Sequence, residues 1–198
     1  MLVGNKNTFA LEFEFDEFFD NDFIAFGTYR LYINGFCYGE KSPEHSWFGG
    51  VVYGFKKILK ERKDFNNFFE LYSNEEIAEN YWQYFYNEFI NERKSKQFLG
   101  IIGDDFGKLF FDLRDYAEAH FDDSSFVLMF RNFEEVKLIG FQVPKIAENE
   151  KGVFENINSI TIPRKSFDCL INNALDFILS ERDKAVKKEK FNAKGEFE

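Results

Sequence analysis

The sequence predicts an α+β fold in which helices pack on one face of a mostly antiparallel sheet. Segments with a two-residue apolar period come in hairpins, whereas segments with a helical period are grouped in the middle and at the end of the chain. The 198 residues can bury one sizeable core, and no internal repeat, Pro- or Ser-rich linker or change in composition divides them. We therefore predict a single domain over 1–185 and a charged, disordered tail over 186–198.

Three strands are predicted at the start of the chain. From 9 to 16, apolar residues alternate with acidic ones, as in a strand with one buried face. A second strand at 25–33 leads into Asn34-Gly35, the dipeptide preferred in a type I′ turn because both positions need a positive φ. The return strand is predicted at 36–38.

Two helices are predicted in the middle of the chain. Apolar residues recur at helical spacing over 47–62, although three glycines weaken the first turns and leave a strand at the start open. Ser73 followed by Glu76 fits a capping box, in which each side chain accepts a hydrogen bond from the other residue's backbone N–H. This second helix is predicted to reach about Lys94, with aromatic residues around more than half its circumference. We interpret that surface as buried between two layers, with presentation to a partner as the alternative.

Short strands and a long helix complete the predicted fold. The helix follows Pro163, and its apolar residues from 167 to 179 recur every three or four positions with acidic and amide residues opposite. This pattern is typical of an amphipathic helix that lies on a sheet. The strands are predicted at 109–113, 125–131, 136–143 and 159–162.

Charge and composition restrict the classes of partner. Asp and Glu number 35 against 25 Lys and Arg, which gives a net charge of −10. Nucleic-acid-binding proteins depend on Lys and Arg for affinity, so this balance disfavours a nucleic-acid partner. The same field would speed encounters with a basic protein, although it also serves solubility. The sequence has no long uncharged apolar stretch, no basic segment followed by an apolar run at its start, and only two cysteines. The chain is therefore predicted to be cytoplasmic and away from the membrane.

Motifs of known enzyme chemistry are missing from the sequence. It contains no phosphate-binding loop, dinucleotide-binding glycine motif, zinc-ligand spacing or nucleophile elbow. The two histidines, His45 and His120, fit no metal pattern, and we interpret Cys37 and Cys169 as inert. We therefore predict no catalytic residue, no metal and no cofactor.

Clusters of acidic residues leave two alternatives open. Carboxylates can bind divalent cations or supply an acid and a base, so a small carboxylate- or metal-dependent hydrolase is one. A small-molecule- or lipid-binding module built around the 29 Phe is the other, although AT-rich codons also explain the Phe excess. The clusters are Glu12, Glu14 and Asp16 on one strand face, with Asp104-Asp105 and Asp122-Asp123 in loops.

From 12 to 23, acidic residues alternate with aromatic ones and no basic residue interrupts them. The predicted strand accounts for Phe13 and Phe15 but does not need Phe18 and Phe19, which lie beyond it. Exposed aromatic side chains surrounded by acids would suit a basic protein partner, because aromatic anchors dominate interface energetics. The alternative, which we favour, is a loop that tucks Phe18 and Phe19 under the domain and leaves its acids in water.

Short motifs of the first 40 residues carry a family resemblance: Gly4-Asn5, Phe9-Ala10-Leu11, Phe26-Gly27 in the second strand and Tyr32-Ile33-Asn34-Gly35 at the turn. Together they resemble the immunity-protein family numbered forty-two of bacterial polymorphic toxin systems. The likeness continues through the strand, proline and helix of 160–175. It implies a non-catalytic cytoplasmic inhibitor that binds a cognate toxin domain, often a nuclease, and covers its active site or an adjacent surface. It supplies no catalytic residues to carry over.

The contact surface is predicted from charge. A nuclease toxin is basic where it grips phosphate, so an acidic inhibitor can occupy that surface. The partner is accordingly predicted to be a basic toxin domain. The first-choice contact residues are Glu14, Asp16, Glu17, Asp20 and Asp22, and the second choices are Asp104, Asp105, Asp122 and Asp123.

Overall fold

All strand pairs in the described part of the chain are antiparallel, and three helices accompany them, which confirms the α+β class. The computed structural model describes residues 1–39, 46–60, 71–85, 97–98, 101–102, 111–113, 124–143 and 153–195. The strands are β1 (Leu2–Gly4), β2 (Phe9–Phe18), β3 (Ala25–Ile33), β4 (Phe36–Tyr38), β5 (Ser46–Trp47), β6 (Gln97–Phe98), β7 (Ile101–Ile102), β8 (Phe111–Asp112), β9 (Ser125–Arg131), β10 (Glu135–Gln142) and β11 (Glu155–Pro163). The helices are α1 (Phe48–Lys60), α2 (Asn74–Phe85) and α3 (Arg164–Gly195).

The first sheet has the order β1-β2-β3-β4, with β5 also paired to β3. Buried and partly exposed residues alternate along the whole of β3, as expected of a strand with one face on the core. The turn that follows it has φ of 51° at Asn34 and 85° at Gly35, so the predicted hairpin and its strand bounds are confirmed. Strand β1, which pairs with residues 10–12 of β2, was not predicted from the sequence.

The second sheet has the order β11-β10-β9-β8 and lies between two apolar layers. Every residue of β9 is buried, because alternate side chains enter different cores. Val127 and Met129 pack with α1, α3 and the first sheet, whereas Phe126 and Leu128 pack with α2. In the described part of the chain, helices thus cover one face of the first sheet but both faces of the second. The apolar run of β9 fits such burial better than an alternating strand would.

The two central helices begin where their sequences indicate. Strand β5 leads directly into α1, so both the predicted helix and the strand at its start are present. The capping box of α2 is confirmed: the Ser73 N–H donates to Glu76 Oε2 at 2.8 Å, and the Glu76 N–H donates to Ser73 Oγ at 3.1 Å. Tyr81 and Trp82 are each 3% exposed against the second sheet, so the aromatic surface of α2 is buried there. The predicted continuation over 86–94 lies outside the described residues.

The last helix, α3, follows Pro163 as predicted and buries Phe167, Ile171 and Ile178 in the core that it shares with α1. It is longer than its clear apolar stripe suggests, because Val186 continues that stripe and is also buried. The helix therefore reaches into 186–198, for which the sequence predicts a disordered tail. Among the described residues, no helix has both the length and the apolar content to span a membrane.

Tyr38 joins the two sheets. Its hydroxyl donates to the Asn156 carbonyl oxygen at 2.7 Å and accepts a hydrogen bond from Asn158 Nδ2 at 3.0 Å. A second link runs from Asn34 Nδ2 to the Ser159 carbonyl oxygen at 2.9 Å. These bonds attach β3 and β4 to β11 and so hold the first sheet against the second. The face of the first sheet that does not pack on the core points away from it.

Candidate partner-binding surface

The first sheet has a buried face and an outer face. Directly opposed residues of antiparallel strands point to the same side of a sheet, so cross-strand pairs identify each face. The inner face carries pairs such as Phe13 with Tyr29, which are buried. The outer face is defined by the pairs Glu12 with Arg30, Glu14 with Thr28, Glu17 with Phe26, and Phe26 with Trp47.

At one end of the outer face, charged side chains and a tyrosine form a network. Lys6 Nζ lies 2.8 Å from Glu12 Oε1 and 4.1 Å from the centroid of the Tyr32 ring. The Tyr32 hydroxyl donates to Glu12 Oε2 at 2.6 Å. Arg30 Nη1 lies 3.6 Å from Glu12 Oε2 and 3.1 Å from Glu14 Oε1. Lys6 and Arg30 therefore neutralise much of the charge of Glu12 and Glu14.

The pKa values of three groups in this network keep them in their usual charge states at neutral pH. The hydrogen bond to Glu12 raises the pKa of Lys6 to about 12. Burial raises the pKa of Tyr32 to about 12, and its bond to Glu12 acts in the same direction. Burial alone would raise the pKa of Glu12, but the hydrogen bonds from Lys6 and Tyr32 together lower it below its ordinary value. Lys6, Glu12 and Tyr32 therefore keep their usual charge near pH 7.

Four of the first-choice acids, Asp16, Glu17, Asp20 and Asp22, lie at the other end of β2 and in the loop after it, and Glu14 lies between them and the network. All five are exposed. Glu14 and Glu17 lie on the outer face, and Asp16 is the extra residue of a β-bulge between Phe15 and Glu17. Asp20 and Asp22 lie in the loop that joins β2 to β3. That these acids contact a partner stays a prediction.

The second-choice acids Asp104, Asp105, Asp122 and Asp123 lie outside the described residues. The metal alternative depends partly on them. Within the described part of the chain, His, Cys, Asp and Glu side chains form no group of three or more that could hold a metal ion.

The aromatic residues of the 12–23 segment divide between the two faces. Phe18 is half-buried against the core, with its ring centroid 4.9 Å from that of Phe15. The favoured interpretation therefore holds for Phe18. Phe19 instead lies 4.9 Å from Phe26 of the outer face, and Phe23 is 51% exposed.

An aromatic cluster results at this end of the outer face, formed by Phe19, Phe23, Phe26 and Trp47. The Trp47 ring lies between two others, with centroid distances of 4.1 Å to Phe26 and 4.5 Å to Phe23. Sequence reasoning missed Trp47, because it joins the cluster only through the pairing of β5 with β3. The alternation of β3 places Phe26 on the other face of the strand from Ala25 and Gly27. This alternation was the signal in the sequence for an outward-facing Phe26.

Beside the loop is a cleft of about 220 Å³ that lies between the β2–β3 loop, α1 and α3. Its lining mixes acidic, basic and aromatic side chains: Asp22, Ile24, Gly49, Val52, Tyr53, Lys56 and Arg182. Such a lining differs from the largely apolar pocket expected of the lipid-binding alternative.

Comparisons with known proteins place this fold. The model of the family described as immunity protein 42 matches residues 1–177. Among solved structures, CdiI from Burkholderia dolosa AUO158 is similar in fold, with a TM-score of 0.54 and 18% sequence identity over 89% of this chain and 99% of that one. No curated protein sequence matches the chain significantly. Because the family model spans both sheets, α1, α2 and most of the core-facing part of α3, the chain belongs to the immunity protein 42 family.

Proposed function

We propose that this protein acts in the cytoplasm as a non-catalytic immunity protein that binds and neutralises a cognate bacterial toxin domain. We further propose that Glu14, Asp16, Glu17, Asp20 and Asp22 contact a basic surface of that domain. Family membership supports the immunity role. The observation that supports the surface is the concentration of five exposed acids along one bulged strand end and its loop.

The proposed contact residues lie in a part of the sequence without basic residues, since none occurs between 12 and 23. In the fold, Arg30 pairs with Glu14, and Lys56 and Arg182 line the cleft beside Asp22. A basic toxin domain, such as a nuclease at its phosphate-binding surface, would be attracted by this group of exposed acids. Complementary charge at such a surface speeds association and selects against acidic partners.

Co-expression tests the immunity role directly. The toxin domain encoded by the neighbouring gene is expressed in a bacterial host with and without this chain. Purification of one protein then tests whether the other copurifies with it. We expect restored growth and a stable complex that weakens as salt is raised, because exposed charge pairs are screened. No rescue and no copurification would contradict the proposed function for this pair.

Charge reversal tests the surface. We expect replacement of Asp16, Glu17, Asp20 and Asp22 by Lys to weaken toxin binding by at least about 100-fold, mostly through slower association. The matched control replaces four exposed acids elsewhere, on α2, β9–β10, β11 and α3, and has the same net charge. Its substitutions are Glu79→Lys, Glu134→Lys, Glu155→Lys and Asp176→Lys. Equal losses in the two variants would show that only overall charge matters and would reject this surface.

A further inference from the structure

We propose that the aromatic cluster of Phe19, Phe23, Phe26 and Trp47 anchors the interface and receives an arginine side chain of the toxin domain. This inference rests on the proposed function and names the partner group that the surface selects. It assigns to the aromatic rings a role that the acids alone do not have. The acids attract any cation, whereas an aromatic surface distinguishes a guanidinium from an ammonium.

The geometry of the cluster suits a flat cation. The Trp47 ring meets Phe26 at 88° and Phe23 at 64°, and Phe19 meets Phe26 at 77°. Edge-to-face contacts of this kind hold each ring in one orientation, so little side-chain entropy remains to be lost on binding. Phe23 is 51% exposed and Trp47 is half-buried, which leaves aromatic surface open to solvent. A guanidinium stacks on such surface through cation–π attraction.

Acidic residues neighbour the aromatic ones in strand register and in the chain. Glu17 is the direct cross-strand neighbour of Phe26 on the outer face. Asp20 follows Phe19 in the chain, and Asp22 precedes Phe23. Arginine can lie flat on an aromatic ring and still donate two parallel hydrogen bonds to a carboxylate, whereas lysine donates as a point charge. Rings and carboxylates together therefore favour arginine.

A second copy of this chain is a poorer occupant for the same surface. The protein carries a net charge of −10, and pairing two such surfaces would bring the exposed acids around each cluster together. Like charges placed together across an interface repel each other and select against such a pairing. A basic partner gains attraction from the same acids.

Removal of the most exposed ring tests the anchor. We expect Phe23→Ala to weaken binding of the neighbouring gene's toxin domain by about 30-fold, as for an aromatic hot spot. Phe133→Ala is the matched control, because Phe133 is 75% exposed in the turn between β9 and β10 and away from this surface. Thermal unfolding of both variants should stay close to that of the wild type, since both rings are more than half exposed. Unchanged affinity of Phe23→Ala, or an equal loss in Phe133→Ala, would overturn the inference.

Fluorine NMR shows whether the toxin reaches Trp47. The chain has two tryptophans, and Trp82, in α2, is only 3% exposed in the core against the second sheet. In protein labelled with 5-fluorotryptophan, the signal assigned to Trp47 by Trp47→Phe should shift when unlabelled toxin domain is added, and the Trp82 signal should stay. Formation of the complex without a change at Trp47 would contradict the inference while leaving the proposed function intact.

The identity of the bound group is tested on the toxin. In the complex, at least one toxin arginine should be protected from modification by phenylglyoxal, as read by mass spectrometry. Replacing that arginine by lysine keeps the charge but should weaken binding about as much as Phe23→Ala. No protected arginine, or full affinity after the lysine replacement, would overturn the arginine assignment. Absence of any complex with the wild-type protein would instead count against the proposed function.

Discussion

Glu12 is the residue that connects the charged end of the outer face, since it accepts hydrogen bonds from both Lys6 and Tyr32. Its side chain is only 19% exposed, so these bonds are partly shielded from water. We expect Glu12→Gln to lower the free energy of unfolding at pH 7 by about 1 kcal/mol, because charge-assisted hydrogen bonds are replaced by weaker neutral ones. Urea unfolding measures this difference.

The pH dependence of the same variant follows from the lowered pKa. A carboxylate whose pKa is lower in the folded protein stabilises it above the unfolded value, here 4.5, and this stabilisation is lost as the pH falls through the folded value. The difference between wild type and Glu12→Gln should therefore shrink below pH 4.5. Glu79→Gln, at an exposed position of α2 outside the network, is the control and should change the free energy of unfolding little. A constant gap down to the acid transition would refute the role of Glu12.

Packing between elements decides how the two sheets meet. A Cβ atom at Gly140 of β10 would lie 2.4 Å from ring carbon atoms of Tyr38 in β4, too close for any ordinary contact. We expect Gly140→Ala to lower the free energy of unfolding by about 1–3 kcal/mol, as for other overpacked cores. Chemical denaturation of the purified variant measures the loss.

A double-mutant cycle isolates the contact. In a Tyr38→Leu background the ring that the new Cβ meets is gone, so Gly140→Ala should cost much less there. The same penalty in both backgrounds would mean that Gly140 is required for its backbone and not for space. Because Tyr38 attaches the first sheet to β11, the cycle also tests a contact that holds this sheet, and with it the outer face, in position.

At the scale of the whole molecule, the net charge of −10 acts on any charged partner before contact. If the toxin domain is basic as proposed, its association rate should fall at least about tenfold between about 20 mM and about 500 mM salt. Dissociation should change much less, because the aromatic contacts are not screened. Stopped-flow fluorescence at several salt concentrations measures both rates.

The control at this scale is the remote charge-reversal variant with Glu79, Glu134, Glu155 and Asp176 replaced. Each reversal to Lys adds two charges, so its net charge is −2. We expect it to associate moderately more slowly than the wild type. It should still associate far faster than the variant with Asp16, Glu17, Asp20 and Asp22 replaced by Lys. A salt-independent rate for the wild type would contradict electrostatic steering.

Local elements were the most predictable part of the fold. The bounds of β3 and β4, the Asn34-Gly35 turn and the capping box at Ser73 all agree with the sequence prediction. Each depends on residues within a few positions of one another, and a backbone preference or a short hydrogen bond is complete at that range. The acids of the candidate site were also visible, because charge is a property of the residue itself.

Long-range pairing was the part that the sequence did not reveal. It showed alternating strands but not the sheets into which they divide, nor that β9 would be buried on both faces. Strand β1 is too short for a periodic signal, and so are β6 and β7, which pair with each other in a third, two-stranded sheet. The reach of α3 was not evident from its clear apolar stripe, since Val186 lies beyond that stripe and is buried.

By itself, the sequence determined the α+β class, most of the strand and helix starts, the acidic character and the family resemblance, because propensity, period and charge are encoded locally. Only the tertiary structure decided which of these residues share a surface. It neutralised Glu12 and Glu14 with Lys6 and Arg30, and it brought Trp47 beside Phe26. Those contacts depend on strand register across long stretches of chain, and register follows from the packing of the whole core.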